Sequence, residues 1–305
     1  MLMRNSVGKS GTQIMAWIII QATINGILNG GIYALVAVGL TIVFGVMKMV
    51  NFATGEFIMW GMYFTFLLYT ITGLNNYVLL PMVIILTILL GLLSYVLVIK
   101  PVLGRDSNTF IMVTVGLSYL LMNVAQMIFG PTPKGIPSEI KTASLSIGTF
   151  TVSLPRLIAF LSACLLIIAI QILLKKTMLG RAMRATAENA EMAQVLGINY
   201  KQVYTFAFVL SCVMAGVAGT LITPIYSIYP SLGNIFKIII FVVVVLGGMG
   251  SVSGALIGGL LLGIMEALVG TLINSNLGPA GIFVVFLLML YLRPNGLFGT
   301  ANRVA

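Results

Sequence analysis

From Val78 to Ile99 the chain reads VLLPMVIILTILLGLLSYVLVI, without one charged side chain. A helix needs about 20 such residues to cross the hydrocarbon of a bilayer. Apolar stretches of this kind recur at 20–46, 57–73, 78–100, 109–129, 157–174, 203–223, 235–249, 253–272 and 279–292. Composition excludes a water-soluble domain: 7% of the residues are charged, 60% are hydrophobic and mean hydropathy is +1.14, where soluble domains carry about 25% charged residues. Lipid offers no partners to free backbone N–H and C=O groups, so the spans are helices. The fold class is therefore all-α, a polytopic transmembrane bundle of about eight or nine spans with broken or re-entrant helices. The first stretch is long and carries Asn25, Asn29, Gly30 and Gly31, which suggests a surface helix leading into one span. The segment 235–272 fits two spans, or one span and a re-entrant pair. Thirty-three glycines suit helices that approach each other closely.

Several function classes lose their usual parts. There is no histidine, the commonest metal ligand and general base. Cys164 and Cys212 lie inside apolar segments with no metal-ligand spacing, so neither a metal site nor a disulfide framework is expected. No phosphate loop, catalytic triad or acidic cluster is visible, so no cofactor is expected on this chain, and any ATP must be handled by another. The net charge of +10 is spread over loops between spans, where topology explains it without nucleic acid. The N-terminal MLMRNSVGKSGTQIMAWIII lacks a small-x-small cleavage site and reads as retained.

Basic residues on short loops orient the chain. Residues 100–105 and 175–201 belong on the cytoplasmic side, with 48–56 and the tail after Arg293. Residues 130–156, rich in proline before Ser144, read as an extracytoplasmic loop with a short hairpin. Residues 224–234 fall on that outer side, with Tyr226 and Tyr229 as interface aromatics. The N-terminus then lies outside, which sets Arg4 and Lys9 against the charge rule. Residues 1–305 form a single transmembrane domain in this reading.

The long charged run is 175–201, KKTMLGRAMRATAENAEMAQVLGINYK. Between two spans it must face water. From Arg181 to Leu196 it has no proline or internal glycine, which predicts one helix stopped by Gly197. Ala182, Ala185, Asn189, Met192 and Val195/Leu196 then share a narrow stripe flanked by Arg184, Glu188 and Glu191. Such a helix either lies on lipid headgroups or docks in a groove on another protein.

Two glycine-rich interruptions separate apolar runs, FGVMKMVNFATGE at 44–56 and LGGMGSVSG at 246–254. Aligned on their first glycine they resemble weak copies, which hints at an internal repeat. Asn51 and Thr54 are natural N-caps for a helix starting near Glu56, with Lys48 as an interfacial ion-pair partner for that carboxylate. The sharper reading is a broken helix lining a cavity, where irregular backbone is tolerated. Ionisable groups at membrane depth are functional candidates by default. Glu266 is the most isolated of them and reads as a packing partner or a pathway residue. Lys237 reads as snorkelling to the interface. Asn123 and Gln126 read as interhelical hydrogen-bonding residues.

Three blocks together resemble the permease subunits of branched-chain amino acid ABC transporters. They are NGGIYALVAVGLTIVFGVMKMVNFATGEFIMWGMY at 29–63, GRAMRATAENAEMAQVLGINYKQVYTFAFVLS at 180–211, and VLGGMGSVSGALIGGLLLGIMEAL at 245–268 with LRPNGLFG at 292–299. The likeness extends over about residues 20 to 299 and is to the shorter, H-type permease. It implies one half of an importer in a prokaryotic cell (inner) membrane, not an enzyme. It also implies a homologous permease partner (a heterodimer), two cytoplasmic ATPase subunits holding ATP and Mg, and an extracytoplasmic substrate-binding protein. The family's ATPase-docking pattern falls on Glu191, Ala193 and Gly197, with Met192 departing from a usual alanine, and Arg184, Glu188 and Asn189 accompany it. The family's Asn-Phe-Ala-His-Gly-Glu appears as NFATGE, with Thr54 at the histidine position. The resemblance implies alternating access driven by ATPase closure. Asn51, Thr54, Gly55, Glu56, Gly247, Gly248, Gly250, Ser251, Ser253 and Glu266 are the expected pathway residues. A urea or short-chain amide importer shares the same blocks, and an ion-driven secondary transporter using Glu56 and Glu266 is the reading from another class.

Overall fold

The computed structural model describes residues 11–137, 143–147, 150–274, 277–293 and 296–298. Every apolar stretch named above is helical. The long helices are α1 (Gly11–Met47), α2 (Thr54–Thr72), α3 (Leu80–Ser94), α4 (Ser107–Phe129), α5 (Leu154–Lys176), α8 (Tyr200–Ile222), α9 (Leu232–Gly247), α10 (Val252–Leu272) and α11 (Gly278–Leu292). Two short helices, α6 (Met178–Glu188) and α7 (Ala190–Val195), occupy the charged run. Among the described residues six helices are long and apolar enough to cross a membrane. Segment 235–272 resolves into two separate helices, α9 and α10, joined by a tight turn at 248–251.

The bundle is built around α1 and α8, whose surfaces are largely buried, while α3, α4, α5 and α10 turn most of theirs outward. The α1 helix packs on α10, α8, α5 and α9, and α8 packs on α2, α1 and α3. Small residues let the central pair of α1 and α10 touch backbone to backbone. A Cβ at Gly30 would stand 2.8 Å from the Gly259 carbonyl oxygen and the Leu260 Cα. Without a hydrophobic drive between helices in lipid, such close contact supplies the attraction.

The surface helix expected before the first span is not separate. Residues 11–47 form one helix of 37 residues, about 55 Å long at 1.5 Å per residue. The helix α3 is extended by a wider π turn over Tyr95–Ile99 and a tight turn at Lys100–Val102. The next helix, α4, is started by Asp106, whose carboxylate accepts from the Thr109 hydroxyl at 2.6 Å and its N–H at 3.1 Å. Those bonds, the hydroxyl first, hold the Asp106 carboxyl below its usual range. The hairpin expected in 130–156 forms as β1 (Ser144–Ile147) and β2 (Phe150–Ser153), antiparallel with Ser144 opposite Ser153. Its second strand is tied to α1 through Gln21, whose side chain exchanges two hydrogen bonds with the Thr151 backbone.

The charged run does not form one helix. Asn189 adopts extended backbone (φ −153°, ψ 109°) and its Oδ1 accepts from the Met192 N–H at 3.0 Å. It therefore ends α6 and caps α7, an option short amide side chains offer the backbone. Gly197, at φ +82°, closes α7: the Ile198 N–H returns to the Ala193 carbonyl at 2.9 Å.

Candidate translocation and coupling sites

Lys100–Arg105, 175–201, the end of α1 and the α9–α10 turn share one face of the bundle, the basic face. The hairpin, Lys134 and the 224–231 connection share the other, where Lys134 and Ile228 exchange backbone hydrogen bonds at 2.8 Å.

The first interruption is a true break. After Met47 the chain leaves helix, Lys48 takes φ +56°, and α2 restarts at Thr54. The restart lies deep in the bundle, level with Ser118 midway along α4. Asn51 and Thr54 are not side-chain caps; Ala53 occupies the cap position. Instead Asn51 Oδ1 accepts from the Ala53 N–H at 3.0 Å, and the Thr54 hydroxyl donates to the Asn51 carbonyl at 2.9 Å. These bonds tighten the connecting segment and leave the helix end to the carboxylate that follows.

That carboxylate, Glu56, is 0% exposed. Its expected partner Lys48 is exposed and elsewhere. The partner is Lys237 on α9, with Nζ 3.3 Å from Oε1. Lys237 does not snorkel. It also donates to Ser118 Oγ at 2.6 Å and to Asn234 Oδ1 at 2.9 Å, while Ser118 donates to Glu56 Oε1 at 3.1 Å. Oε2 has no hydrogen-bond partner. It lies against Gly233, where a Cβ would come within 2.7 Å of the carboxylate carbon. The carboxylate also opposes the positive end of α2. Three helices, α2, α4 and α9, are thus pinned together through one ion pair whose carboxylate is fully buried. Contact between α2 and α4 is extended by the Trp60 N–H, which donates to the Leu121 carbonyl at 3.1 Å, and by Tyr63 stacked on Phe129.

The second interruption is a turn at the basic face. Gly248 and Gly250 take φ +97° and +90°, and Ser251 caps α10 by accepting the Gly254 N–H at 3.1 Å. The carbonyls of Leu246 and Gly247, freed at the end of α9, accept from the N–H groups of Leu297 and Phe298. The GLF part of the 292–299 block is therefore a clasp on the end of α9. Beside the turn is a cavity of about 370 Å³, lined from α1, α5, α6 and the turn itself.

Glu266 lies far from both breaks. Its Oε2 accepts from the Tyr33 hydroxyl at 2.7 Å, and the pair borders a mostly apolar cavity of about 350 Å³ with Tyr226, Tyr229 and Phe236. The expected pathway residues thus fall in three places. Asn51, Thr54, Gly55 and Glu56 sit at the buried break, Gly247, Gly248, Gly250, Ser251 and Ser253 at the basic-face turn, and Glu266 beside Tyr33. Asn123 and Gln126 are exposed, and Asn123 donates to Tyr119 of its own helix at 2.7 Å. Sequence reasoning missed Ser118, Asn234 and Tyr33. Hydroxyls and amides within apolar helices carry no local signal of what they face.

In the coupling pair, Glu188, Asn189 and Glu191 are exposed and Ala193 is buried. Arg184 donates to the Leu174 carbonyl near the end of α5. The apolar side chains of α7 face out: Met192 is 64% exposed, Val195 82% and Leu196 78%. Behind α6, a groove lined by Leu179, Met183, Ile198, Val203 and Phe206 separates it from α8.

A bundle of apolar helices broken at depth, with a helix pair presented on its basic face, defines a multi-pass membrane transport protein. Residues 22–292 match the family described as branched-chain amino acid transport system / permease component, and the chain belongs to that family. It is 30% identical over 293 residues to the high-affinity branched-chain amino acid transport system permease protein BraD of Pseudomonas aeruginosa, covering 92% of this chain and 95% of that one. It is 31% identical over 294 residues to the permease protein LivH of Escherichia coli K12, with the same coverage. These relatives are transport permeases, not enzymes. Among solved structures, PsaBC from Streptococcus pneumoniae in complex with Fab aligns over 89% of this chain and 91% of that one, at 16% identity and a TM-score of 0.48. The chain is a permease of the cell (inner) membrane.

Proposed function

We propose that this permease forms half of the membrane pathway of an importer for branched-chain, aliphatic amino acids, coupled to partner ATPases through α6 and α7. The observation that carries the coupling is the tip of α7, where Met192, Val195 and Leu196 stand open on the basic face. Large apolar side chains clustered on a charged, water-facing helix mark a contact with another protein. Glu188 and Glu191 rim that tip and Gly197 shapes its exit. ATP and Mg belong to the partner, and no cofactor is assigned to this chain. The basic face is the cytoplasmic one in this reading, by the same loop charges. A homologous permease completes the pathway and an extracytoplasmic binding protein supplies the substrate, as the family membership supports.

Force applied to α7 has a route inward. The adjoining α6 packs on α5, α8 and α1, and Arg184 ties it to the last turn of α5. Closure of the ATPases shifts the equilibrium between inward- and outward-open states only because ATP favours one of them. The substrate's aliphatic side chain suits helices of Val, Ile, Leu and Met. Its zwitterion needs a few polar groups at depth, and Asn51, Thr54 and Glu56 at the first break are the candidates.

Replacing the exposed tip tests the docking without touching the core. In Val195→Asp/Leu196→Asp, ATPase subunits expressed alongside are expected to be lost on purification, with affinity falling by roughly 30-fold or more for two docking residues, while the permease still inserts and elutes as a single species. Undiminished co-purification, or transport in vesicles on an ion gradient with no ATPase present, overturns the reading.

A further inference from the structure

The cavity beside the α9–α10 turn has two unlike walls. Ile42, Val46, Leu174 and Met183 make one of them apolar, while Lys175, Arg184, Ser251 and Ser253 supply the other. The positive charge there is not cancelled. Among the described residues the ion pair formed is Lys237 with Glu56, so neither Lys175 nor Arg184 is paired, and Glu188 on the same helix as Arg184 reaches neither. The N-terminal end of α10 opens beside the same space and adds the positive end of its dipole.

Thr41 is the independent sign of a ligand. It lines the cavity, is 1% exposed, and its hydroxyl has no hydrogen-bond partner. Four other buried threonines discharge this obligation locally: Thr65, Thr87, Thr220 and Thr223 each donate to the carbonyl four residues back. Thr41 does not. A buried hydroxyl left without a partner is destabilising, and a ligand acceptor at this position would offset that cost.

We propose that this cavity binds an amphiphilic anion. A carboxylate or phosphate head sits against Lys175, Arg184, Ser251 and the α10 terminus, with Thr41 donating from the α1 side, and an aliphatic portion lies along Ile42 and Val46. Two sources share this chemistry, an anionic phospholipid of the adjoining leaflet and a free aliphatic acid. The binding depends on the cavity alone and not on the importer reading. Its consequence does rest on that reading, because the occupant would bridge α6 to α1 and α10 and so bias the coupling pair.

The test uses the full chain purified in a neutral detergent, with octanoate as probe and octanamide as its uncharged match. Octanoate is expected to raise the thermal unfolding midpoint in a saturable way and octanamide to leave it unchanged. Lys175→Gln and Thr41→Val, one exposed and one isosteric, are each expected to weaken octanoate binding by about tenfold, the loss of one charge-assisted or buried hydrogen bond. In nanodiscs, suppression of the octanoate response by phosphatidylglycerol but not phosphatidylcholine identifies the lipid headgroup as the occupant; an unchanged response identifies the free acid. No octanoate response in the wild type, an equal response to octanamide, or wild-type affinity retained in both variants overturns the proposal.

Discussion

The two breaks look alike in sequence and are opposites in structure. The first, at 48–53, carries the chain back into the bundle and restarts a helix at depth, where the fully buried Glu56 is neutralised by the half-buried Lys237. The second, at 248–251, turns at the basic face with two left-handed glycines, a serine cap and a backbone clasp, and uses no charge. Irregular backbone needs partners wherever it occurs. Near a face, backbone and hydroxyl groups suffice. At depth the helix end is answered by a carboxylate, and the carboxylate by an ammonium brought from a distant helix. The first break is therefore held by long-range electrostatics and the second by local geometry.

The largest effect should come from the charge. Lys237→Met leaves Glu56 buried with Ser118 alone, and breaking a buried pair from one side costs about 3–5 kcal/mol. A second variant, Glu56→Leu/Lys237→Met, should recover most of that loss. Thermal unfolding of the purified permease would show the pattern, and strict additivity of the two single changes would mean that the pair does not hold the break.

A smaller loss is expected at the second break. Gly248→Ala forces a Cβ onto backbone at φ +97° and ψ 117°, a cost of about 1–3 kcal/mol. Limited proteolysis near residues 246–254 should report it as local opening, with the α2–α4–α9 junction intact. Protection lost equally at both breaks would show that they are one cooperative unit.

The smallest effect runs the other way. Lys48 holds a left-handed conformation at φ +56° that costs a non-glycine residue about 1 kcal/mol. Since it has no ion-pair partner among the described residues, Lys48→Gly should be neutral or stabilising by about 0.5 kcal/mol. A marked loss of stability would give Lys48 a partner role in the first break after all.

These contrasts mark what the sequence could and could not say. The helices were legible because an apolar run of bilayer length has few alternatives, and the hairpin because proline and alternation announce it. The site was legible in part. Glycine and serine around 247–253 advertise a turn, and Glu56 and Glu266 are conspicuous simply as charges among apolar residues. What stayed hidden was pairing. Lys237 sits on a helix made long after Glu56, and no periodicity links them. Propensity also misled at Asn189, where helix-prone neighbours argued for continuity and one side-chain amide bonding to the Met192 N–H decided for a break.

The clasp formed by Leu297 and Phe298 has a bearing on how the molecule is made. The carbonyls of Leu246 and Gly247 lie at a helix end that leaves the ribosome well before its partners do. Until 296–298 follow, that end must borrow water or lipid headgroups, and the α9–α10 turn is held on one side only. The basic face beside α6 thus reaches its final shape after the membrane helices have been threaded, so quality control acting on unfinished chains would meet a loose turn where the mature protein presents a closed one.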